Sequence, residues 1–278
     1  MSDSWTKIEM KKVKQLPKLQ PGSLNRAVTL MTAIAQGSRK GSLLTELVAR
    51  TGLPRPTIHR VLDALMSFGW VSRDPETARF NLGLDLAALG YTAISRNPLE
   101  RLATTELSQL ANTIDQVIYL GIRSDFDMDC IGRYESQSQI QVGKGWVGLR
   151  GPFGMSPSCM AMLAHLPEED IEEIVSANMS RYHRIEGFDE RGFRRTLAEA
   201  TKMGFSTYDD IILDRTTSGL GVPILDPSGY PIAGIGTTYL SGWLNEEQKM
   251  ERVRHLQQAA RRISFRLFPG QQGPGTKD

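Results

Sequence analysis

The chain has 278 residues, 40% of them apolar and 23% charged, a length and balance that suit a globular protein of two domains better than one large core. No apolar run approaches the ~20 residues that span a bilayer. The opening MSDSWTKIEMKKVKQLPKLQPG has no apolar stretch that could serve as a signal peptide, so a cytoplasmic protein with no membrane partner is expected. Cys130 and Cys159 are too few for a disulfide framework and make no metal-ligand pattern; each reads as a small buried hydrophobe.

The formal net charge of +2 hides an asymmetry. Residues 1–80 carry 13 Lys/Arg against 6 Asp/Glu, a net of +7, and the remaining residues carry 20 against 25, a net of −5. A basic first third on an acidic remainder implies that a polyanion is met by the first part alone.

In chain order, residues 1–22 are polar, end in Pro21-Gly22 and read as a flexible arm. Ser23 reads as the N-cap of a helix in which Leu24, Ala27, Val28, Met31, Ile34 and Ala35 keep helical spacing, with Gly37 closing it. A short helix fits 43–51, and Thr51-Gly52-Leu53-Pro54 is a turn, because glycine allows positive φ and proline cannot continue a helix behind it. A third helix runs from about Pro54 to Phe68, with Pro56 in the first turn, where its missing N–H costs nothing. Two short β segments around Asp74-Pro75-Glu76-Thr77 then make a hairpin, which completes the layout of a winged helix. Residues 84–95 read as a connecting helix, and 99–114 as an amphipathic one. Beyond residue 115 the pattern mixes strands (QVIYLGIRS, DCIGRYES, QIQVGKGWVGLR) with helices at 158–165, 168–178 and 190–203. The strands GLGVPILD and PIAGIGTTYL follow, joined by the turn Asp226-Pro227-Ser228-Gly229, and a helix over 245–267 closes the domain before a loose tail. Strands and helices without strict alternation indicate an α+β fold.

On the third helix Ile58, Val61, Leu62 and Leu65 fall at i, i+3, i+4, i+7 and should pack on the first two helices. The opposite face carries Arg55, Thr57, His59 and Arg60. That division is what a recognition helix needs, since its N-terminal half enters the major groove of double-stranded DNA while the apolar stripe holds it there. Arginine can pair with guanine or grip phosphate, and threonine can touch phosphate or a thymine methyl. Arg73 and Arg79 on the hairpin are placed for flanking phosphates or the minor groove, and Arg26 on the first helix for phosphate. The alternative that these are merely solvated basic residues is weakened by the preceding turn, the following hairpin and the charge asymmetry.

LTELVARTGLPRPTIHRVLDALMSFGWVSRD with RFNLG, then GLRGPFGMSPSCMAMLAHLP and DDIILDRTTSGLGVPILDPSGYPIAGIGTTYL, resemble the IclR family of bacterial transcription regulators, over roughly residues 23–268. The resemblance implies a winged helix-turn-helix domain, a linker helix and a GAF-like effector-binding domain. It further implies a DNA operator as partner, a homodimer or dimer of dimers, no cofactor, and control of a catabolic operon by a small organic effector, more often as repressor than activator. The implied division is an arm at 1–22, a winged domain at 23–83, a linker at 84–98, an effector-binding and oligomerisation domain at 99–268 and a tail at 269–278.

Carried over from the family, the effector site draws on the loop Met155-Ser156-Pro157-Ser158-Cys159, on Asp209 or Asp210, and on Gly219, Gly236 and Thr238 in the last strands. Two departures bear on the ligand: Pro157 removes a backbone N–H that holds small acids in some members, and Gly219 stands where some carry cysteine. A ligand bulkier than glyoxylate or pyruvate, an aromatic or amide-related acid, is therefore expected, with Trp146 a further stacking candidate. An enzyme with a basic N-terminal module is the competing class. His59, His165, His183 and His255 are scattered, Ser156 and Ser158 lack a nucleophile-elbow context, and Asp209, Asp210 and Asp214 read as solvated loop acids rather than metal ligands.

Overall fold

The computed structural model describes residues 22–270 apart from 36, 39, 96–97, 139–140, 144 and 210–215. The chain divides into two compact units, residues 1–96 and 97–278. In the first, α1 (Ser23–Ala35), α2 (Leu44–Thr51) and α3 (Arg55–Ser67) precede a hairpin of β1 (Val71–Arg73) and β2 (Phe80–Leu82), and α4 (Leu84–Ser95) follows. Leu30, Ile34, Leu47, Ile58, Leu62 and Phe80 meet in one core, so the apolar spacing of each helix is what brings the three together. Ser23 lies inside α1, not before it, and the Arg26 N–H donates to the Gly22 carbonyl at 3.3 Å. Gly52 sits at φ 66°, the left-handed position that ends α2, and its N–H donates to the Val48 carbonyl. The wing is wider than a hairpin: Ser42 pairs with Phe80 through two 2.9 Å bonds.

The second unit begins with α5 (Pro98–Ile114). Its sheet comprises β3 (Ile118–Ser124), β4 (Asp127–Tyr134), β5 (Arg150–Pro152), β6 (Ser206–Thr207), β7 (Thr217–Leu225) and β8 (Pro231–Leu240). Among the described residues these form one antiparallel sheet in the order β5-β4-β3-β8-β7-β6. Between β5 and β6 come α6 (Pro157–Leu163), α7 (Glu168–Tyr182) and α8 (Glu190–Met203), and α9 (Glu246–Leu267) closes the unit.

Alternation along the strands splits the unit into two cores. Ile118, Leu120, Leu220 and Val222 pack with Leu107 of α5 and Leu256 of α9. On the opposite face Cys130 packs with Met160, Tyr182 and Phe193 of α6, α7 and α8. Of the expected strand QIQVGKGWVGLR, 139–140 and 144 lie outside the described residues, and among the rest only Arg150 is in a strand, as the first residue of β5. Gly143 at φ 145° and Gly148 at φ 88° break the extended alternation, and a turn from Trp146 to Leu149 delivers the chain to β4. β6 was not expected, and two residues leave no periodicity from which to read a strand. No helix among the described residues is long and apolar enough to cross a membrane.

Candidate functional sites: the α3 face and the cavity under α6

On α3, Ile58, Val61, Leu62 and Leu65 are buried, while Arg55, His59, Arg60 and Asp63 are exposed and Thr57 is half-buried. The helix thus presents a polar N-terminal face with two arginines while its other face is fixed in the core. Arg26 is half-buried on α1. The two wing arginines differ. Arg73 is exposed and its guanidinium lies 5.7 Å from the Phe80 ring centre, a stacked arrangement that leaves its edge open. Arg79 is engaged within the unit, donating to the Gly41 carbonyl at 2.8 Å and lying 3.5 Å from Glu46. Glu46 in turn accepts the Leu43 N–H at 3.0 Å, so Arg79 ties the wing to the start of α2. The wing tip is closed by Asp74, whose carboxylate accepts the N–H groups of Glu76 and Thr77 at 2.8 and 3.0 Å. Those bonds, the Thr77 one foremost, hold its carboxyl below the usual range.

In the second unit a cavity of about 170 Å³ opens between α6 and the sheet. Its placement follows from glycines. A Cβ on Gly221 would overlap the Pro157 carbonyl, and one on Gly234 would come within 2.5 Å of the Ser158 carbonyl. A Cβ on Gly219 would reach Pro157 Cγ at 2.5 Å, and one on Gly236 would reach the Ser158 nitrogen at 3.0 Å. The glycines of β7 and β8 therefore let the first turn of α6 lie directly on the strands. Ser206 Oγ adds a 2.5 Å bond to the Pro157 carbonyl, and Ser156 caps α6 by accepting the Cys159 N–H at 3.3 Å.

Of the expected effector residues, Ser156, Pro157, Ser158, Gly236 and Thr238 line this cavity. Cys159 does not: it is fully buried behind the capping turn, and burial pushes its thiol up to about 12. Gly219 does not either, because the space it leaves is filled by Pro157. Asp209 lies outside the lining, 3.6 Å from Lys249 Nζ, and Asp210 and Asp214 lie outside the described residues. Trp146 is 45% exposed, one position from the lining Gly145.

Met155, which opens the expected loop, also lines the cavity, but the sequence reading missed the rest of its apolar wall: Tyr119, Met128, Cys130, Leu149 and Tyr208. Alternation in QVIYLGIRS was the signal that could have found Tyr119, since it must face away from Ile118 and Leu120. Burial pushes the Cys130 thiol up to about 11, so it presents a neutral wall. Tyr208 is likewise raised by burial and donates to the Met155 carbonyl at 3.0 Å. No charged side chain lines the cavity among the described residues, nor do these hold a cluster of His, Cys, Asp or Glu fit for a metal ion.

Two family models match the chain. The IclR helix-turn-helix domain covers residues 23–75, and the bacterial transcriptional regulator IclR C-terminal domain covers residues 91–265. The HTH-type transcriptional regulator KdgR of Dickeya chrysanthemi is 25% identical over 252 residues, spanning 89% of this chain and 81% of its own length. The HTH-type transcriptional regulator KipR of Bacillus subtilis is 23% identical over 231 residues, spanning 81% and 89%. An IclR transcriptional regulator structure from Alicyclobacillus acidocaldarius superposes with a TM-score of 0.74 at 23% identity, covering 90% of this chain and 98% of the other. An IclR homolog from Microbacterium hydrocarbonoxydans, solved with 4-hydroxybenzoate, gives 0.68 at 22% identity, covering 88% and 99%. At these identities the structural likeness shows the fold.

Proposed function

Since the chain belongs to the IclR family of bacterial transcription regulators, and is by that membership a DNA-binding regulator, we propose that it acts in the cytoplasm as a repressor of a catabolic operon, released by a small organic effector. The observation that carries the DNA half of this reading is α3, with its apolar stripe buried and Arg55, His59 and Arg60 exposed. Such a helix reads base edges from its N-terminal half, with Thr57, Arg26 and Arg73 available to phosphates and Arg79 holding the wing in position. One winged unit offers a small DNA interface, so a homodimer on a palindromic operator, or a dimer of dimers, completes it. The boundaries that go with this reading are a winged domain over 23–83, a linker over 84–98 and an effector domain over 99–268.

For the effector half the support is the cavity under α6, with Ser156 and Ser158 in its lining. The 4-hydroxybenzoate bound by the Microbacterium homolog fits the expectation of an aromatic or amide-related acid here. An effector shifts operator occupancy only by its differential affinity for DNA-competent and incompetent states, commonly ~1–3 kcal/mol. The test is titration of the full chain against duplexes from its own promoter region, at several salt concentrations, with and without each acid of a benzoate-type panel. Sequence-selective binding that weakens with salt and is changed by one of the acids is expected. Binding of equal strength to every duplex would refute the DNA reading, and an operator affinity indifferent to the whole panel would refute the effector reading.

A further inference from the structure

We propose that the cavity under α6 is closed to charge: it takes the neutral part of its ligand, and the carboxylate of an acid effector stays in water at the open side, by Gly145 and Leu149. The proposal rests on the effector-site reading given above and fixes the charge preference and orientation of a ligand there. The orientation follows from where the lining is buried. Leu120 and Thr237 are fully buried and Ser158 is 3% exposed, so they form the inner end. Gly145, Leu149 and Met155 are half-buried, and Trp146 and Val147 beside them are exposed, so solvent meets the cavity on that side.

A carboxylate leaves water readily only for a cation or for several N–H and O–H donors. The inner end supplies neither. No charged side chain lines the cavity among the described residues, and burial keeps the Cys130 thiol protonated at neutral pH. Pro157 has no N–H, and the Cys159 N–H is taken by Ser156 Oγ at 3.3 Å. The Ser158 nitrogen is seated on the strands, 2.7 Å and 3.0 Å from the points where Cβ atoms on Gly221 and Gly236 would stand, so β7 and β8 cover it.

The hydroxyls are committed as well. Thr237 donates to the Val117 carbonyl at 2.8 Å, Thr238 to the Val142 carbonyl at 2.9 Å and Tyr208 to the Met155 carbonyl at 3.0 Å. Tyr119 Oη is buried beside Gly143, which lies outside the lining. Ser156 and Ser158 bond each other at 3.2 Å, which leaves at most one hydroxyl hydrogen for a guest. One such hydrogen suits a carbonyl or ether oxygen. It does not replace the water shell of a carboxylate, whose desolvation outweighs a single hydrogen bond.

Titration calorimetry of the full chain at neutral pH, with three para-substituted rings of equal size, tests the proposal. 4-Acetylbenzamide is neutral at both ends, 4-acetylbenzoate has one carboxylate that can stay outside, and terephthalate has two, one of which must enter. The first two are expected to bind within about threefold of each other, since a charge left in solvent contributes little. Terephthalate is expected to bind at least about tenfold more weakly than 4-acetylbenzoate. If terephthalate matches 4-acetylbenzoate, or if 4-acetylbenzoate exceeds the amide by more than about tenfold, a carboxylate has found a partner inside. Either result overturns the proposal and leaves the effector cavity standing. Failure of 4-acetylbenzamide to bind would overturn it too, while the acid panel judges the effector reading separately. Binding of the acetyl compounds that survives Met155→Trp, which fills the cavity, would place them elsewhere and count against the proposal in the same way.

Discussion

Replacing Arg79 by alanine separates a residue that positions the wing from one that touches DNA. In the structure its guanidinium bonds the carbonyl of buried Gly41 at 2.8 Å and lies 3.5 Å from Glu46, with 26% of the Arg79 side chain exposed. A hydrogen bond with one charged partner contributes about 1.5–3 kcal/mol, and losing it strands a buried acceptor. The partly exposed ion pair adds about 0–1 kcal/mol. A destabilisation of about 2 kcal/mol is therefore expected, read as an earlier melting transition of the first unit. Operator affinity should fall because the wing is less well held, but the slope of log K against log salt should stay that of the wild type. Loss of a true phosphate contact reduces that slope by about 0.9. Arg73→Ala is the matched control: its guanidinium stacks on Phe80 and leaves its edge open, so the slope should change with little loss of stability. The reasoning fails if Arg79→Ala keeps wild-type stability and lowers the slope by about one; Arg79 would then leave Glu46 to bind phosphate.

Gly221→Ala should destabilise the second unit by about 1–3 kcal/mol, as overpacking does, because its Cβ would overlap the Pro157 carbonyl; an unchanged melting midpoint would refute the seating of α6 on β7. Cys130 and Cys159, pushed by burial to about 11 and about 12, should resist alkylation at pH 8 in the native protein and react on denaturation. Because both are raised in the folded state, their contribution to stability is complete below pH 9 and is lost as pH rises towards 11 and 12; a urea midpoint that rises over that range would contradict the sign. Leu84 is 87% exposed and Leu89 54% exposed on α4, so light scattering of the full chain should show an oligomer at micromolar concentration, and a clean monomer would refute it.

The winged unit was legible because each part has its own local signal. The i, i+3, i+4, i+7 stripe of α3, the Gly52 cap and the turn at Asp74 are fixed by residues within a few positions of one another. The strand PIAGIGTTYL was read with the bounds that β8 has, since two turn-forming clusters flank a run of apolar and β-branched residues. QIQVGKGWVGLR misled for the converse reason. Its apolar residues suit a strand, but Gly143 and Gly148 adopt positive φ, and a glycine in a sequence does not announce which sign it will take.

The candidate site was harder to read, because a glycine that makes room for a ligand and one that makes room for a helix look alike. Gly219 and Gly236 were both expected at the ligand, yet the volume beside Gly219 is filled by Pro157, and only Gly236 borders the cavity. Pro157 itself was read as a lost donor, which it is, but its structural work is to begin α6 and to place its carbonyl against Ser206. The lining residues come from 119–121, 128–130, 145–158, 208 and 236–238, and no local period links segments so far apart. The partner of a buried hydroxyl is set by the fold and not by its neighbours in sequence: Tyr208 lines the cavity, yet its hydroxyl is committed to the Met155 carbonyl, 53 residues earlier in the chain, at 3.0 Å. Tyr119 lines the cavity too, but its hydroxyl is buried beside Gly143, which lies outside the lining, so the cavity meets its ring and not its oxygen.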